Sequence, residues 1–310
     1  MLATGWDGSS ATAHSGFGVG GICVRLSGES DGDVALMPTL EPFRTDGERF
    51  NIDIRIEWVG NIPQPQGRQI FDSGTTWRLH EADAGLGFDV SSDVRGPRPF
   101  TRLLIDRDFT SATLQMNEEC FVGVAHDAPR LGYPLDELLI MHRLTQERAI
   151  ELHGSGIVRG NGVANLFIGH SGAGKSTTTR LWTSCEEVEV LSDDRIIVRL
   201  DDGRDGPAGP TGMRMYGTPW HGEAMFASPN SAPLTRIFVL EHGHGNVITR
   251  LTRSQAVGEL FARAFVPFHR HEYLENALSF LEQLVSSVPC YRYSFEPDER
   301  AVETILHFND

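Results

Sequence analysis

The sequence predicts an α/β domain preceded by a β-rich domain. Up to about residue 127, short stretches typical of strands alternate with turn residues. After residue 133, strand and helix patterns alternate, and a glycine-rich segment at 169–176 stands between one strand and the next helix. We therefore expect a β-rich domain over residues 1–132, with 1–15 disordered, and an α/β domain over 133–310.

In the β-rich domain, the strand signals are separated by Pro-, Gly- and Asp-containing loops such as 63–67 and 95–99. We interpret this domain as mostly antiparallel, with its apolar residues in the core and no catalytic motif. The clearest predicted strands are 21–26, 50–58, 69–71, 75–79, 102–105 and 112–116.

In the α/β domain, a helix over 133–149 leads into the alternating pattern. Thr252 and Gln255 have the spacing of a capping box, which predicts that a helix begins there. The predicted strands are 151–158, 163–168, 188–191, 196–200, 213–216, 234–240 and 247–251, with a polar loop at 201–212. The predicted helices are 175–184, 252–265, 273–286 and 297–307.

The composition excludes several classes of protein. The 310 residues carry a net charge of −15, which leaves no basic surface for phosphates, so we expect no nucleic-acid partner. No apolar run approaches the length of a membrane span, and the first residues lack the features of a secretory signal. The four cysteines are far apart, which predicts neither a disulfide framework nor a zinc site and favours a cytoplasmic location.

The segment Gly169-His-Ser-Gly-Ala-Gly-Lys175-Ser matches the pattern G-x-x-x-x-G-K-[ST] of a phosphate-binding loop. An apolar strand precedes it and a helix pattern follows, as this motif requires. Lys175 is the only lysine of the chain, and it occupies the one position where the motif needs a lysine. The predicted ATP-binding residues are Gly169, His170, Ser171, Gly172, Ala173, Gly174, Lys175, Ser176 and Thr177.

Asp193 and Asp194 end the first strand after this helix pattern. Two adjacent carboxylates can divide phosphoryl-transfer chemistry, because one holds Mg²⁺ and the other takes a proton from the attacking hydroxyl. We predict that Asp193 and the Ser176 hydroxyl bind the metal. The guanine-recognition sequence N-K-x-D is absent.

His153 is the third candidate. Asn161-Gly162 is typical of a two-residue hairpin turn, so strands 151–158 and 163–168 should pair antiparallel. With Gly160 opposite Val163, His153 would be opposite residue 170, beside the phosphate loop. A slip of one residue would turn its side chain to the other face.

The sequence resembles the HPr kinase/phosphorylase family in three motifs, which occur in the same order and at nearly the same spacing as in that family. The motifs are Leu152-His153-Gly, the loop 169–176 and Leu191-Ser-Asp193-Asp194. The resemblance covers roughly residues 133–240. It implies the fold shared with phosphoenolpyruvate carboxykinase and a Ser/Thr kinase using Mg²⁺ and ATP. It also implies that His153 lies in the active site, that Ser176 binds Mg²⁺ and that Asp194 is the general base.

The family's glycine-rich signature with its metal-binding glutamate is replaced here by residues 215–223, which makes Glu223 a candidate metal ligand. The segment 222–231 contains no Lys or Arg but offers Met225, Phe226 and Pro229. These residues suit a flexible, partly apolar peptide better than an anionic folded surface, and related kinases in peptide-biosynthesis clusters phosphorylate a precursor peptide. We interpret Trp220 and Phe226 primarily as core residues.

Three functions remain open at this point: a protein or peptide kinase, a small-molecule kinase or carboxykinase-like phosphoryl transferase, and a nucleotide-binding regulatory protein without catalysis. We expect a protein or peptide substrate with a Ser or Thr acceptor and no membrane partner. Homo-oligomerisation is left open. The pairs His242/His244 and His269/His271 lack a third ligand at a fixed spacing, so we interpret them as a turn and a loop.

Overall fold

The computed structural model describes residues 13–83, 85–93, 95–123, 129–204, 209 and 211–308. The chain divides into two compact units, Met1–Ile140 and Met141–Asp310. The first is built mainly of β-strands and the second of strands and helices, and each has its own mixed sheet. The predicted boundary at 132/133 lies just before the helix in which the division falls. Of the segment predicted to be disordered, residues 1–12 lie outside the described residues, whereas residues 13–15 begin a strand.

The first unit contains one eight-stranded sheet in the order β1-β2-β3-β8-β7-β6-β5-β4. Short 3₁₀ helices lie at Glu41–Phe43 and Glu118–Phe121. Its strands are β1 (Ala13–Val19), β2 (Ile22–Gly28), β3 (Ile52–Val59), β4 (Gln69–Asp72), β5 (Trp77–Ala82), β6 (Gly85–Ser92), β7 (Gly96–Asp106) and β8 (Ser111–Asn117).

Among the described strands this sheet is mostly antiparallel, as predicted, since five of its seven neighbouring pairs are antiparallel. The exception is β3, which runs parallel to both β2 and β8. The long connection after β2 returns the chain to the end where β2 began, and such a crossover makes the next strand parallel. Strands β1 and β6 were not predicted, because both contain glycines that weaken the alternating pattern. At Gly87 a side chain has no room, since a Cβ there would lie 2.2 Å from the His80 ring.

The second unit contains a ten-stranded sheet in the order β14-β13-β12-β9-β10-β15-β18-β16, with β11 and β17 also paired to β9. The helix α1 (Leu135–Leu144) precedes it. The elements that follow are β9 (Ala149–Arg159), β10 (Ala164–Ile168), α2 (Lys175–Thr183), β11 (Val188–Ser192), β12 (Arg195–Leu200), β13 (Met213–Tyr216), β14 (Ser231–Pro233), β15 (Arg236–His242), β16 (Val247–Arg250), α3 (Arg253–Phe261), β17 (Ala264–Phe265), α4 (His271–Ser287), β18 (Cys290–Phe295) and α5 (Glu299–Leu306).

Helices cover both faces of this sheet. Leu260 of α3 and Phe280 of α4 pack into one apolar cluster, whereas Trp182 of α2 and Ile305 of α5 pack into another. The strands therefore lie between two cores, as in other α/β layers. The capping box of α3 is confirmed, since the side chain of Thr252 accepts the Gln255 N–H and the side chain of Gln255 accepts the Thr252 N–H.

The predicted register of the β9–β10 hairpin is wrong by one residue. Gly154 is opposite Ile168, so His153 is displaced from the position opposite residue 170. The loop has three residues instead of two: the N–H of Gly162 donates to the Arg159 carbonyl at 2.8 Å, and Gly162 takes a φ of +81°. A turn followed by a left-handed glycine is the usual three-residue hairpin loop.

No helix in the described ranges is long and apolar enough to cross a membrane. All four cysteines are free, which confirms that they form no disulfide framework.

Candidate functional site

The loop between β10 and α2 has the backbone of an anion cradle. Gly172 and Gly174 adopt φ angles of +80° and +97°, which side chains disfavour. A Cβ at Gly169 would lie 2.6 Å from the Cβ of Ala173, and a Cβ at Gly174 would lie 2.6 Å from the Phe295 ring. The glycines are thus required by conformation and by close packing, and the loop opens directly onto the N-terminus of α2.

Lys175 is the first residue of α2, and it is 7% exposed. Its Nζ donates to the carbonyl oxygens of Gly169 at 3.0 Å and His170 at 3.3 Å. Burial lowers the pKa of Lys175; the charge of Asp194 opposes this shift, while Arg263 and Arg195 add to it. The ammonium group is therefore folded back onto its own loop, where phosphate oxygens would be stronger partners than carbonyls.

The phosphate loop and α2 are fixed to the sheet by side chains. The Oγ of Ser155 on β9 lies 2.8 Å from the Oγ1 of Thr179, which donates to the Lys175 carbonyl at 3.0 Å. His242, at the end of β15, has its Nε2 2.6 Å from the carbonyl oxygen of Gly172. The sequence reasoning interpreted His242 as part of a turn and missed this contact.

Asp194 lies beside the side chains of His153 and Arg195. Its Oδ1 is 3.2 Å from the Nδ1 of His153, and Arg195 bonds to its Oδ2. Burial raises the pKa of Asp194, but the bond with His153 and the charges of Arg195, His153 and Lys175 outweigh it and hold that pKa below its usual value. Asp194 is thus ionised at neutral pH and remains one-quarter exposed.

Arg195 belongs to the site, although the sequence analysis did not single it out. Its guanidinium lies 4.1 Å from the centre of the Phe265 ring, and its Nε is 3.6 Å from the fully buried Glu151. Its Nη1 lies 3.2 Å from the Nδ1 of His153, which is its partner across β9 and β12. The available signal was its position directly after the acidic pair, on a strand that pairs with the strand of His153.

The Asp193 side chain is turned away from Asp194, His153 and Arg195. It is 2% exposed, and its two oxygens accept three backbone N–H groups: Gly222 at 3.0 Å, Ala224 at 2.8 Å and Phe226 at 3.2 Å. A direct bond to Mg²⁺ would have to compete with these donors. The predicted metal role of Asp193 stays a prediction, and the contacts favour an anchoring role instead.

A cavity of about 440 Å³ opens at the mouth of the phosphate loop. Arg195 on β12, His153 on β9 and Arg263 in the turn before β17 lie side by side. Arg195 is paired with His153, whose N–H donates to the Arg263 carbonyl at 2.8 Å. The whole lining comprises His153, His170, Ser171, Arg195, Ala262, Arg263, Ala264 and Phe265. It contains no carboxylate, in a chain whose net charge is −15. The structure thus brings His153 to the loop despite the shifted register.

The remaining predicted residues are placed as follows. Ser176 and Thr177 lie half-buried in the first turn of α2, and Glu223 is exposed. No cluster of three His, Cys, Asp or Glu side chains that could hold a metal occurs among the described residues. The Ser176 hydroxyl is nonetheless a hard oxygen donor of the kind that Mg²⁺ prefers when phosphates supply its other ligands. Trp220 is buried, and Phe226 packs against the apolar cluster that contains Trp182.

A scan against protein-family models and a search of curated proteins return no match to this sequence.

Proposed function

We propose that this protein is an ATP-dependent phosphotransferase that moves the γ-phosphate of Mg-ATP to a Ser or Thr hydroxyl of a protein or peptide. The main support is one arrangement at the end of the glycine-rich loop. The buried Lys175 interacts electrostatically with the ionised Asp194 and with Arg195 and Arg263. The resemblance of the loop, of His153 and of the acidic pair to HPr kinase/phosphorylase points the same way.

The phosphate loop and Lys175 would hold the nucleotide phosphates, and the Ser176 hydroxyl would bind Mg²⁺. Mg-ATP, when bound, would supply the phosphoryl group that is transferred, and its Mg²⁺ ion would neutralise part of the charge of the phosphates. Lys175 would exchange its two carbonyl partners for phosphate oxygens. Arg195 and Arg263, which line the cavity together with His153, would provide positive charge where negative charge develops.

Asp194 would accept the proton of the acceptor hydroxyl. Its carboxylate is ionised and partly exposed and is held by His153 and Arg195, which supports a role as general base. Such a base needs only modest strength here, because phosphoryl transfer depends mainly on positioning and electrostatics.

A small-molecule kinase is the second candidate. The cavity volume of about 440 Å³ lies within the range of small-ligand sites. A cytoplasmic location stays a prediction, and homo-oligomerisation stays open.

The test is transfer of radiolabel from [γ-³²P]ATP to a panel of Ser- and Thr-containing peptides and, separately, to small hydroxylated metabolites. We expect label on peptides with the wild-type chain and none with Lys175→Ala. The matched control is Asp202→Asn, an exposed carboxylate of the same unit, which should keep full activity. ATP binding without label on any acceptor would overturn the proposal, and label on small molecules alone would favour the second candidate.

A further inference from the structure

Met225 has a backbone conformation that its side chain does not favour. Among the described residues, only Phe109, Glu187 and Met225 combine a side chain with a positive φ, at 51°, 54° and 59°. Phe109 is completely buried in the first unit, and the carbonyl of Glu187 accepts the Gly160 N–H at 2.7 Å. Packing or pairing thus compensates those two residues. Met225 is 71% exposed.

Folding alone does not explain a methionine at this position. The left-handed region is disfavoured for residues with a Cβ and is normally occupied by Gly or Asn. An exposed methionine adds no burial to offset the strain. Strained residues of this kind are held in place by their surroundings, and they cluster at sites of function.

The surroundings of Met225 form a rigid support, which we name the anchored loop (residues 222–226). Asp193 holds it through three backbone N–H groups, as described above. At Gly222 a Cβ would lie 3.0 Å from the Oδ2 of Asp193 and 3.2 Å from the Cβ of Asp194. The anchored loop, which contains Met225, is thus held against the turn that carries Asp193 and Asp194.

The chemistry of the loop indicates its partner. Residues 222–231 contain no Lys or Arg, and Glu223 is exposed. Phe226 is part of the core, so Met225 is the large apolar side chain that this loop presents to solvent. Methionine is flexible and polarisable and suits contact with apolar side chains of varied shape.

We propose that the anchored loop docks the acceptor polypeptide, and that Met225 packs against an apolar side chain close to the acceptor Ser or Thr. This inference rests on the proposed kinase function. Asp193 is then a positioning residue, which sets the distance between the docking contact and Asp194.

The experiment uses the full chain and two peptide sets that differ only in Leu or Asn at each position flanking one Ser. For the preferred Leu peptide, Met225→Gly should raise KM about tenfold, as expected for loss of one apolar contact. The kcat and the KM for ATP should change less than about twofold. Met225→Leu should retain the preference, and Val247→Ala, at another exposed apolar residue of the same unit, should change nothing. The thermal midpoint of Met225→Gly should equal or exceed that of the wild type.

Three results would overturn the inference. An unchanged Leu-to-Asn ratio of KM in Met225→Gly, with an active wild type, would refute it while leaving the kinase proposal intact. No phosphorylation of any peptide by a wild type that binds Mg-ATP would refute both. A change in sedimentation of the peptide-free chain in Met225→Gly would show that Met225 contacts a second copy of the protein instead.

Discussion

Asp193 and Asp194 are adjacent in the chain, but their carboxylates lie in two different kinds of surroundings. Asp193 points into the protein and bonds with three backbone N–H groups of the anchored loop. Asp194 bonds with the side chains of His153 and Arg195, both of which line the cavity beside His170 and Ser171. One side of the turn is therefore built from backbone amides, and the other from groups that carry charge.

This difference favours a structural role for Asp193 and a chemical role for Asp194. Backbone donors cannot change protonation and hold a loop in one geometry, whereas side-chain cations tune a carboxylate and can exchange partners when phosphates arrive. The sequence predicts different roles for the two residues, Mg²⁺ ligand for Asp193 and general base for Asp194, but it does not show these different surroundings. The predictions below break or sharpen this distinction.

The largest expected effect is on the Asp194 side. Asp194→Asn keeps the shape of the side chain but removes its ability to accept a proton. We expect the transfer rate to fall by about two to four orders of magnitude, with Mg-ATP binding retained in calorimetry. A variant within about threefold of the wild-type rate would show that Asp194 is not the general base.

Asp193→Asn should act mainly on stability and docking. An amide places an N–H group against a backbone N–H, so at least one buried bond is lost, and we expect the free energy of unfolding to fall by about 3 kcal/mol. Chemical denaturation measures this change. Raising Mg²⁺ should not restore activity; full rescue by Mg²⁺ would restore the metal-ligand role predicted from the sequence.

Unfolding measured across acidic pH distinguishes the contribution of Asp194 to stability from that of His269. Burial and Arg270 lower the pKa of His269 to about 4, while the unfolded chain titrates near 6.5. Between these values only the unfolded chain gains a proton as pH falls, so the free energy of unfolding should decrease by about 2 kcal/mol.

Because the pKa of folded Asp194 is depressed, its contribution is present above its ordinary pKa and is lost only at lower pH, below about 4. Unfolding curves across pH should therefore flatten between 6.5 and 4 in His269→Gln. Asp194→Asn should change them only at the acid end. A change at pH 5–6 in Asp194→Asn would contradict the depressed pKa.

The smallest expected effect is at Arg195. Arg195→Lys keeps a charge but loses the planar group that stacks on Phe265 and bonds with Asp194. We expect about a tenfold fall in kcat, with little change in the KM for ATP. The acid limb of the pH profile should move to higher pH, because a weaker ion pair lets the pKa of Asp194 rise. An unmoved limb would show that Arg195 does not tune Asp194.

Local patterns predicted much of the second unit. The glycine-rich loop between β10 and α2 and the capping box of α3 follow from a few residues each, because backbone conformation there depends on glycines and caps. Strands β1 and β6 were missed where glycines interrupt the pattern, and the β9–β10 register was missed because Gly162 serves a longer turn than expected.

The site itself was predicted in composition but not in arrangement. Lys175, Asp194 and His153 were identified, whereas Arg195 and Arg263 join them only through the pairing of β9 with β12 and β17. The separate surroundings of Asp193 depend on a loop about 30 residues further along the chain. Such long-range contacts leave no periodic signal in the sequence.

The hydroxyl pair Ser155–Thr179 joins the strand that carries His153 to the helix that begins with Lys175. Both residues are completely buried, so water does not compete for the bonds that tie this strand to this helix. If a phosphate binds at Lys175 as proposed, any effect on the position of His153 would pass through this buried contact.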